Sequence, residues 1–478
     1  MAMQGQGQAM SLKSRLDRLR QQSAPMSAPS MPVDSHPVAA DLLDSNPIAP
    51  DQLGLAHDIA SQQPQSSGSP ANTDRREPGL AERIARLRPR ALQPPMRRGD
   101  ERALADILGA EQLAPGLLRL SQQLDATRPH GRFAPALAAG GASDPLSDLT
   151  DLAPGPPETW CFLDTETSGL AGGTGTWVFL FGAARLSSGP GESGPDVTLE
   201  LEQYLLTRLD AEALMLERIA ASLADATLMV SYNGKSFDIP LLVTRCRLAA
   251  MGGPPSIRDL GQQLEHLAHL DLLHPVRRAY ARCWPDCRLA SVESRLLAFD
   301  RGQDLPGSEA PAAWLDWLRH GDLTQLPAVV EHNRKDLLSV AALMPALASV
   351  YRQPLSHGAD SASVAAHWIK RGKMELARAL LESSVNGQAA EPEAIRLLAQ
   401  LHRRDRNWPR AVELWERLAR DNQPDALEAL AKFHEHIARD PHRALDYASR
   451  LPADPASEHR RQRLRTKVKA ASESQRLL

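Results

Sequence analysis

The sequence predicts a mixed α/β domain followed by an α-helical solenoid, behind a disordered N-terminal region. Three observations carry this. Short apolar runs with strand character begin at Trp160 and are interrupted by helical patterns. After Pro354 only helical patterns remain, and Ala377, Ala411 and Ala444 recur at steps of 34 and 33 residues, the period of stacked helix pairs. Met1 to Arg132 contains no Phe, Tyr or Trp, and nine prolines fall between Gln21 and Leu80. Such a segment cannot bury enough apolar surface to offset its ordering entropy.

The elements follow in order. Residues 1–100 read as largely disordered, with two short basic amphipathic helices. In "LKSRLDRLR" and "LAERIARLR", Leu12, Leu16, Leu19 and Leu80, Ile84, Leu87 share i, i+4, i+7 spacing, which is one helical face. Residues 101–155 form a lead-in with no clear element. "WCFLD" from Trp160, "WVFLFGAARL" from Trp177 and "VTLELEQYLL" from Val197 read as three strands. Their short links allow an antiparallel meander. Ala211 to Ala224 reads as a helix with Asp210 as a possible N-cap. "TLMVSYN" is a fourth strand, and a helix is expected after Pro240. The crossover helix lets the fourth strand lie parallel to the first, with their C-terminal ends side by side. Ligand sites in open α/β sheets gather at such ends.

Composition bounds the function. The chain has 478 residues, enough for two or three domains, and a net charge of -3. No global positive field marks a nucleic-acid binder, so anion binding must be local. Four cysteines argue against a disulfide framework. No apolar run approaches a membrane span and the first residues lack the apolar stretch of a signal peptide. A cytoplasmic protein without membrane contact is expected.

The chemistry sits in carboxylates. "LDTETSGL" places Asp164 and Glu166 two apart at a strand end, so both side chains face one way. "SYNGKSFD" adds Asp238 after the fourth strand. "EHNRKD" adds His332 and Asp336, i and i+4 on one helical face. Four acids buried together would repel, and two divalent cations would cancel that repulsion. Hard oxygen ligands favour Mg²⁺ or Mn²⁺. Two such ions, roughly 3.5–4 Å apart, clamp the attacking and leaving oxygens of a phosphoryl displacement. Asp164 can bridge both, and His332 can orient or deprotonate the attacking water. Asn233 and Lys235 suggest contact with a terminal nucleotide or phosphate, or simply a loop before a helix. Thr174 and Thr176 suggest substrate contact or tight-turn chemistry.

These motifs together resemble the DEDD 3′–5′ exonucleases on an RNase H-like fold, and more narrowly the YprB-like bacterial branch. "DTETSGLAGGTGT", "YNGKSFDIPLL", "HLDLLH", "CRLASVESRLL" and "EHNRKDLL" carry the resemblance. It spans roughly residues 160–347, with helical repeats behind as in relatives. It implies that Asp164, Glu166, Asp238 and Asp336 are metal ligands. The histidine subclass places its His five residues before the last Asp, and the tyrosine subclass a Tyr four before. His332, four before Asp336, is a mixed form.

The resulting expectation is an RNase H-like exonuclease domain over 156–350 and tetratricopeptide-like repeats over 360–470, open to a protein partner. The substrate is single-stranded nucleic acid, RNA or DNA. The alternative is a catalytically weak or inactive nucleic-acid-binding scaffold that recruits partners through its repeats. Elsewhere, Asp271 reads as a capping or positioning acid, and Trp314 and Trp317 as packing. Cys283, Cys287 and His274 lack the spacing and fourth ligand of a zinc site. The basic run "RRQRLRTKVK" from Arg460 is either a solvated helix face or a polyanion contact.

Overall fold

The computed structural model describes residues 99–136, 145–169, 173–191, 194–386 and 391–476. The two basic helices expected around Leu12 and Leu80, and most of the region expected to be disordered, lie outside them.

Seven strands form one sheet. They are β1 (Glu111–Ala114), β2 (Leu117–Asp125), β3 (Trp160–Thr167), β4 (Val178–Gly191), β5 (Gly194–Leu206), β6 (Leu228–Ser231) and β7 (His269–Asp271). The order is β1-β2-β5-β4-β3-β6-β7. The first five in that order pair antiparallel, while β6 lies parallel to β3 and β7 parallel to β6. The meander and the parallel fourth run are thus present, and this is the RNase H-like mixed α/β arrangement. Two strands come from residues for which the sequence offered no element. Alternation in β2 is weak, because Leu117, Leu118 and Leu120 are all buried, so the period-2 signal is lost.

Helices cover both sheet faces. Before the sheet's centre stand α1 (Glu101–Leu108) and α2 (Pro145–Leu149). The sheet helices are α3 (Glu212–Leu223), α4 (Asp238–Ala249), α5 (Pro255–His266), α6 (Leu273–Tyr280), α7 (Leu289–Val292), α8 (Ala310–His320) and the 27-residue α9 (Leu326–Arg352). Two starts differ from the sequence reading. Asp210 sits in a 3-10 turn and pairs with Arg208, so α3 begins without a side-chain cap. The next helix begins at Asp238, with Pro240 in its first turn, where a missing N–H costs nothing.

Alternation along β3 divides the core. Trp160 and Phe162 face one layer, with Leu337 and the later residues of α9. Cys161 and Leu163 face the other, with α3, α4, α5 and α8. By this parity Asp164 and Glu166 project on the side of Phe162, toward α9. Trp314 and Trp317 are buried packing residues. Their indole N–H groups donate to Leu206 O (2.6 Å) and Thr207 O (2.9 Å), and Trp314 stacks on Phe179.

The chain continues as α10 (Ser361–Lys370), α11 (Met374–Val385), α12 (Pro392–Arg404), α13 (Trp408–Arg420), α14 (Pro424–His436), α15 (Pro441–Ser449) and α16 (Pro455–Arg476). Ala377, Ala411 and Ala444 are each fully buried where neighbouring helices close. The first of the two core layers runs on without a break from the sheet into these helices. Among the described residues, no helix is long and apolar enough to cross a membrane.

Candidate active site

The parallel pairing of β3 with β6 brings their C-terminal ends together, and α9 crosses beside them. Asp164 lies opposite Gly182 on β4. A Cβ on Gly182 would stand 2.4 Å from Asn333 Oδ1 and 2.6 Å from Leu337 Cδ1. Glycine there therefore lets α9 close onto the strand. Buried Gln203 donates to Asn333 Oδ1 (2.8 Å), which turns the Asn333 amide so that Nδ2 donates to Asp164 Oδ2 (2.8 Å). Asn333 thus acts in the site through Asp164.

The four predicted acids meet at this point. Asp238, at the start of α4, accepts a hydrogen bond from Thr165 on β3. His332 Nε2 lies 3.8 Å from Glu166 Oε1 and 3.7 Å from Asp336 Oδ2. Burial pushes the carboxyl of Asp164 well up, and the charges of Asp336, Asp238 and Glu166 push it further. Burial raises Glu166 to about 8, again with help from Asp336 and Asp238, against the pull of Arg301. Burial raises Asp238 to about 6 although Thr165 opposes it. Asp336 is raised by burial, and Arg301 and His332 partly offset that. Apart from Asp336, which Arg301 pairs, the acids are short of positive charge.

The sequence reading missed the cation that sits beside the cluster. Arg301 binds Glu293 through Nε (2.5 Å) and Nη2 (2.7 Å), Asp304 through Nη1 (3.0 Å), and Asp336 through Nη2. Glu293 opens a π-helical turn, Glu293–Leu297, a feature frequent at functional sites. Asp304 orients the histidine. Its Oδ2 lies 2.8 Å from His332 Nδ1, while Arg301 Nη1 is 3.3 Å from the same nitrogen. The shorter contact decides the tautomer: Nδ1–H donates to Asp304, leaving Nε2 bare toward Glu166 and Asp336. The pattern "DRGQD" from Asp300 to Asp304 was the available signal, yet nothing in its spacing ties it to a helix some thirty residues on.

Among the described residues, no three of His, Cys, Asp or Glu gather tightly enough to hold one metal ion. Three of the four acids lean on a nearer partner instead: Asp164 on Asn333, Asp238 on Thr165, Asp336 on Arg301. The donor set nonetheless suits a hard divalent cation, being all oxygen, wholly or partly buried, and mutually repulsive. Cys283 is exposed and Cys287 partly buried, both as free thiols.

The residues expected to bind substrate divide. Asn233 adopts a left-handed conformation (φ 67°) at the end of β6. Buried Asp271 fixes this loop, its Oδ1 accepting from Asn233 N (2.8 Å) and Leu273 N (3.0 Å) and its Oδ2 from Lys235 N (3.1 Å). The loop leaves the Lys235 side chain and Phe237 exposed. Thr174 is exposed, and its carbonyl accepts from Arg245 (3.0 Å). Thr176 is buried, with its N–H closing a turn on Gly173 O.

The basic run of α16 is spent on neighbours. Arg460 pairs with Glu428, Arg461 with Glu458, and Arg463 and Lys467 both with Glu435. These pairs account for four of the six basic residues of the run.

Residues 161–348 match a family model described as RNase_H superfamily. The chain is also 29% identical over 318 residues to a Bacillus subtilis (strain 168) protein described as uncharacterized protein YprB, covering 64% of this chain and 73% of that one. Sheet order and family match agree on an RNase H-like domain, a superfamily of nucleic-acid-processing enzymes whose nucleases generally use divalent metals.

Proposed function

We propose that this chain is a metal-dependent 3′–5′ exonuclease that hydrolyses phosphodiester bonds of single-stranded nucleic acid. One observation carries the reading: four enclosed or partly enclosed carboxylates, Asp164, Glu166, Asp238 and Asp336, whose proton affinity is raised by burial first and, for the first three, by one another's charge as well, beside a histidine held in a single tautomer. A binding protein has no use for such a cluster, because each uncompensated buried charge costs stability.

Two divalent cations, Mg²⁺ or Mn²⁺, held by Asp164, Glu166, Asp238 and Asp336, would supply activation of the attacking water and charge for the leaving 3′-oxygen. The side chains do the rest. His332 Nε2 takes the proton of the attacking water, and Asp304 stabilises the imidazolium through Nδ1–H. The fourfold spacing to Asp336 suits this, because it sets both groups on the same face of α9. Asn333 fixes the direction of Asp164. Asn233, Lys235 and Thr174 contact the terminal nucleotide, while Thr176 supports the turn that presents Thr174. We assign the hydrolytic part to 156–350 and a tetratricopeptide-like, partner-binding part to 360–470.

One observation favours the scaffold reading: Arg301 already neutralises Asp336. The test uses 5′-labelled single-stranded RNA and DNA with Mg²⁺, Mn²⁺ or EDTA, beside an Asp164→Asn control. A metal-dependent ladder shortening from the 3′ end, absent in the control, supports the exonuclease and identifies its sugar. Intact substrates that are still retarded on a gel would leave the scaffold.

A further inference from the structure

The loop that carries Asn233 and Lys235 adjoins a second feature that the catalytic reading does not use. Tyr232, the residue before Asn233, donates its hydroxyl to Cys287 O. This ties the loop to the segment running from α6 through α7. That segment exposes Arg277, Arg288 and Arg295. Among the described residues none of the three has a carboxylate within 4 Å, whereas Arg301 and the arginines of α16 named above are all ion-paired. The exposed acid Asp286 accepts at Oδ1 from Arg288 N (3.0 Å) and Ser291 Oγ (2.6 Å), and the charges of Arg288 and Arg295 reach its carboxylate only from beyond 4 Å. Arg295 stands 5.7 Å over the ring of partly buried Trp284, which also stacks on Tyr280 at 3.8 Å. With Lys235, these side chains are exposed cations on the site loop and on the segment that Tyr232 ties to it, in a chain whose net charge is -3.

We infer that the face formed by Arg277, Arg288 and Arg295 is the track on which the phosphate backbone of a single-stranded nucleic acid lies as its 3′ end enters the carboxylate site. The inference rests on the nuclease reading of that site. Exposed guanidinium groups without a carboxylate partner, one of them over an aromatic ring, suit a sugar–phosphate strand. The adjacency to the hydrolytic centre selects nucleic acid over an acidic protein.

The test compares the full-length chain with Arg277→Gln/Arg288→Gln/Arg295→Gln, and with the Lys version of the same triple. Binding of a fluorescent single-stranded 20-mer is measured by anisotropy in Ca²⁺ across a salt series. Hydrolysis of thymidine 5′-(4-nitrophenyl phosphate) in Mn²⁺ reports the carboxylate site alone. Each phosphate contact on a single strand contributes about 0.7 to the slope of log affinity against log salt. The Gln triple is expected to lower that slope by about 2, to lose 20-mer affinity at low salt, and to leave small-diester hydrolysis unchanged. The Lys triple is expected to keep the slope, which separates charge from folding. A wild-type slope in the Gln triple overturns the inference. So does a polyglutamate peptide that competes with the 20-mer as well as unlabelled strand does, since it reassigns the face to an acidic protein. A wild type that binds the 20-mer through these arginines yet never hydrolyses the small diester sinks the nuclease reading and leaves the face standing.

Discussion

The molecule contains two ionic clusters built from the same residue types, and they behave in opposite ways. In the helical tail, Glu435 has no exposed side-chain surface but is held by Arg463 and Lys467. Burial works against its charge, yet those two hydrogen-bonded cations bring its carboxyl down to about 2. At the sheet, Glu166 is enclosed but for 11% of its side chain, and burial, helped by the charges of Asp336 and Asp238, raises it to about 8. The tail balances Glu435 from within the chain. The sheet site leaves its acids under-compensated, even with Arg301 present. A cluster that costs stability and is not neutralised from within points to a charge supplied from outside.

The comparison breaks most sharply at Asp164. Asp164→Asn is expected to abolish metal-dependent hydrolysis while raising the melting temperature of the metal-free protein, because it removes one repelling charge. Calorimetric scans in EDTA beside the strand assay check both halves. The opposite exchange in the tail, Glu435→Gln, is expected to lower the melting temperature and leave hydrolysis intact.

Asp304→Asn comes next. The substitution keeps the shape but weakens the hold on His332 Nδ1–H, and outer-layer changes of this kind typically cost about 10- to 100-fold in activity. The loss should appear in kcat, with KM for the strand little changed, because Asp304 does not touch substrate in this account.

pH gives the two clusters opposite signs. Glu166 and Asp238 carry folded-state values of about 8 and about 6, above the roughly 4 of an unfolded carboxyl. Below about pH 4 both states are protonated and this contribution is fully present. As pH rises, the unfolded chain ionises first, so metal-free stability falls until the folded groups titrate. Glu435 acts the other way: its contribution is present above the unfolded value and is lost as pH falls toward its own value of about 2. Urea midpoints measured in EDTA from pH 5 to 8 are expected to decline, and saturating Mn²⁺ is expected to flatten the decline. A flat profile without metal would remove the contrast.

The smallest effect is steric. Gly182→Ala puts a Cβ against Asn333 and Leu337. Overpacking at such a contact costs about 1–3 kcal/mol, and it tilts the amide that aims Asp164. Chemical denaturation measures the first part and the strand assay the second.

Much of this was legible in the sequence, for physical reasons. Strand alternation and strand-end placement set Asp164 and Glu166 on one face, and the helical period set His332 above Asp336. The order of the runs implied the parallel β3–β6 pair, and hence the meeting of Asp238 with the other acids. What was hidden depends on contacts without a period. Arg301 and Asp304 lie in an irregular segment and reach α9 only through the fold. The two strands ahead of Trp160 carry too little alternation to declare themselves. The basic run from Arg460 looked available because its acidic partners, Glu428 and Glu435, lie on the preceding helix pair. Conversely, Arg277, Arg288 and Arg295 look like ordinary surface residues until their lack of partners is visible in space.

The most direct measurement of the central claim is Mn²⁺ binding to the full chain, followed by electron paramagnetic resonance at pH 7.5. The account predicts two ions per chain, with exchange coupling between them, and loss of that coupled signal in Asp164→Asn. A wild type that takes up no Mn²⁺, or one whose binding is unchanged by Asp164→Asn, would contradict the assignment of the four carboxylates as a metal centre.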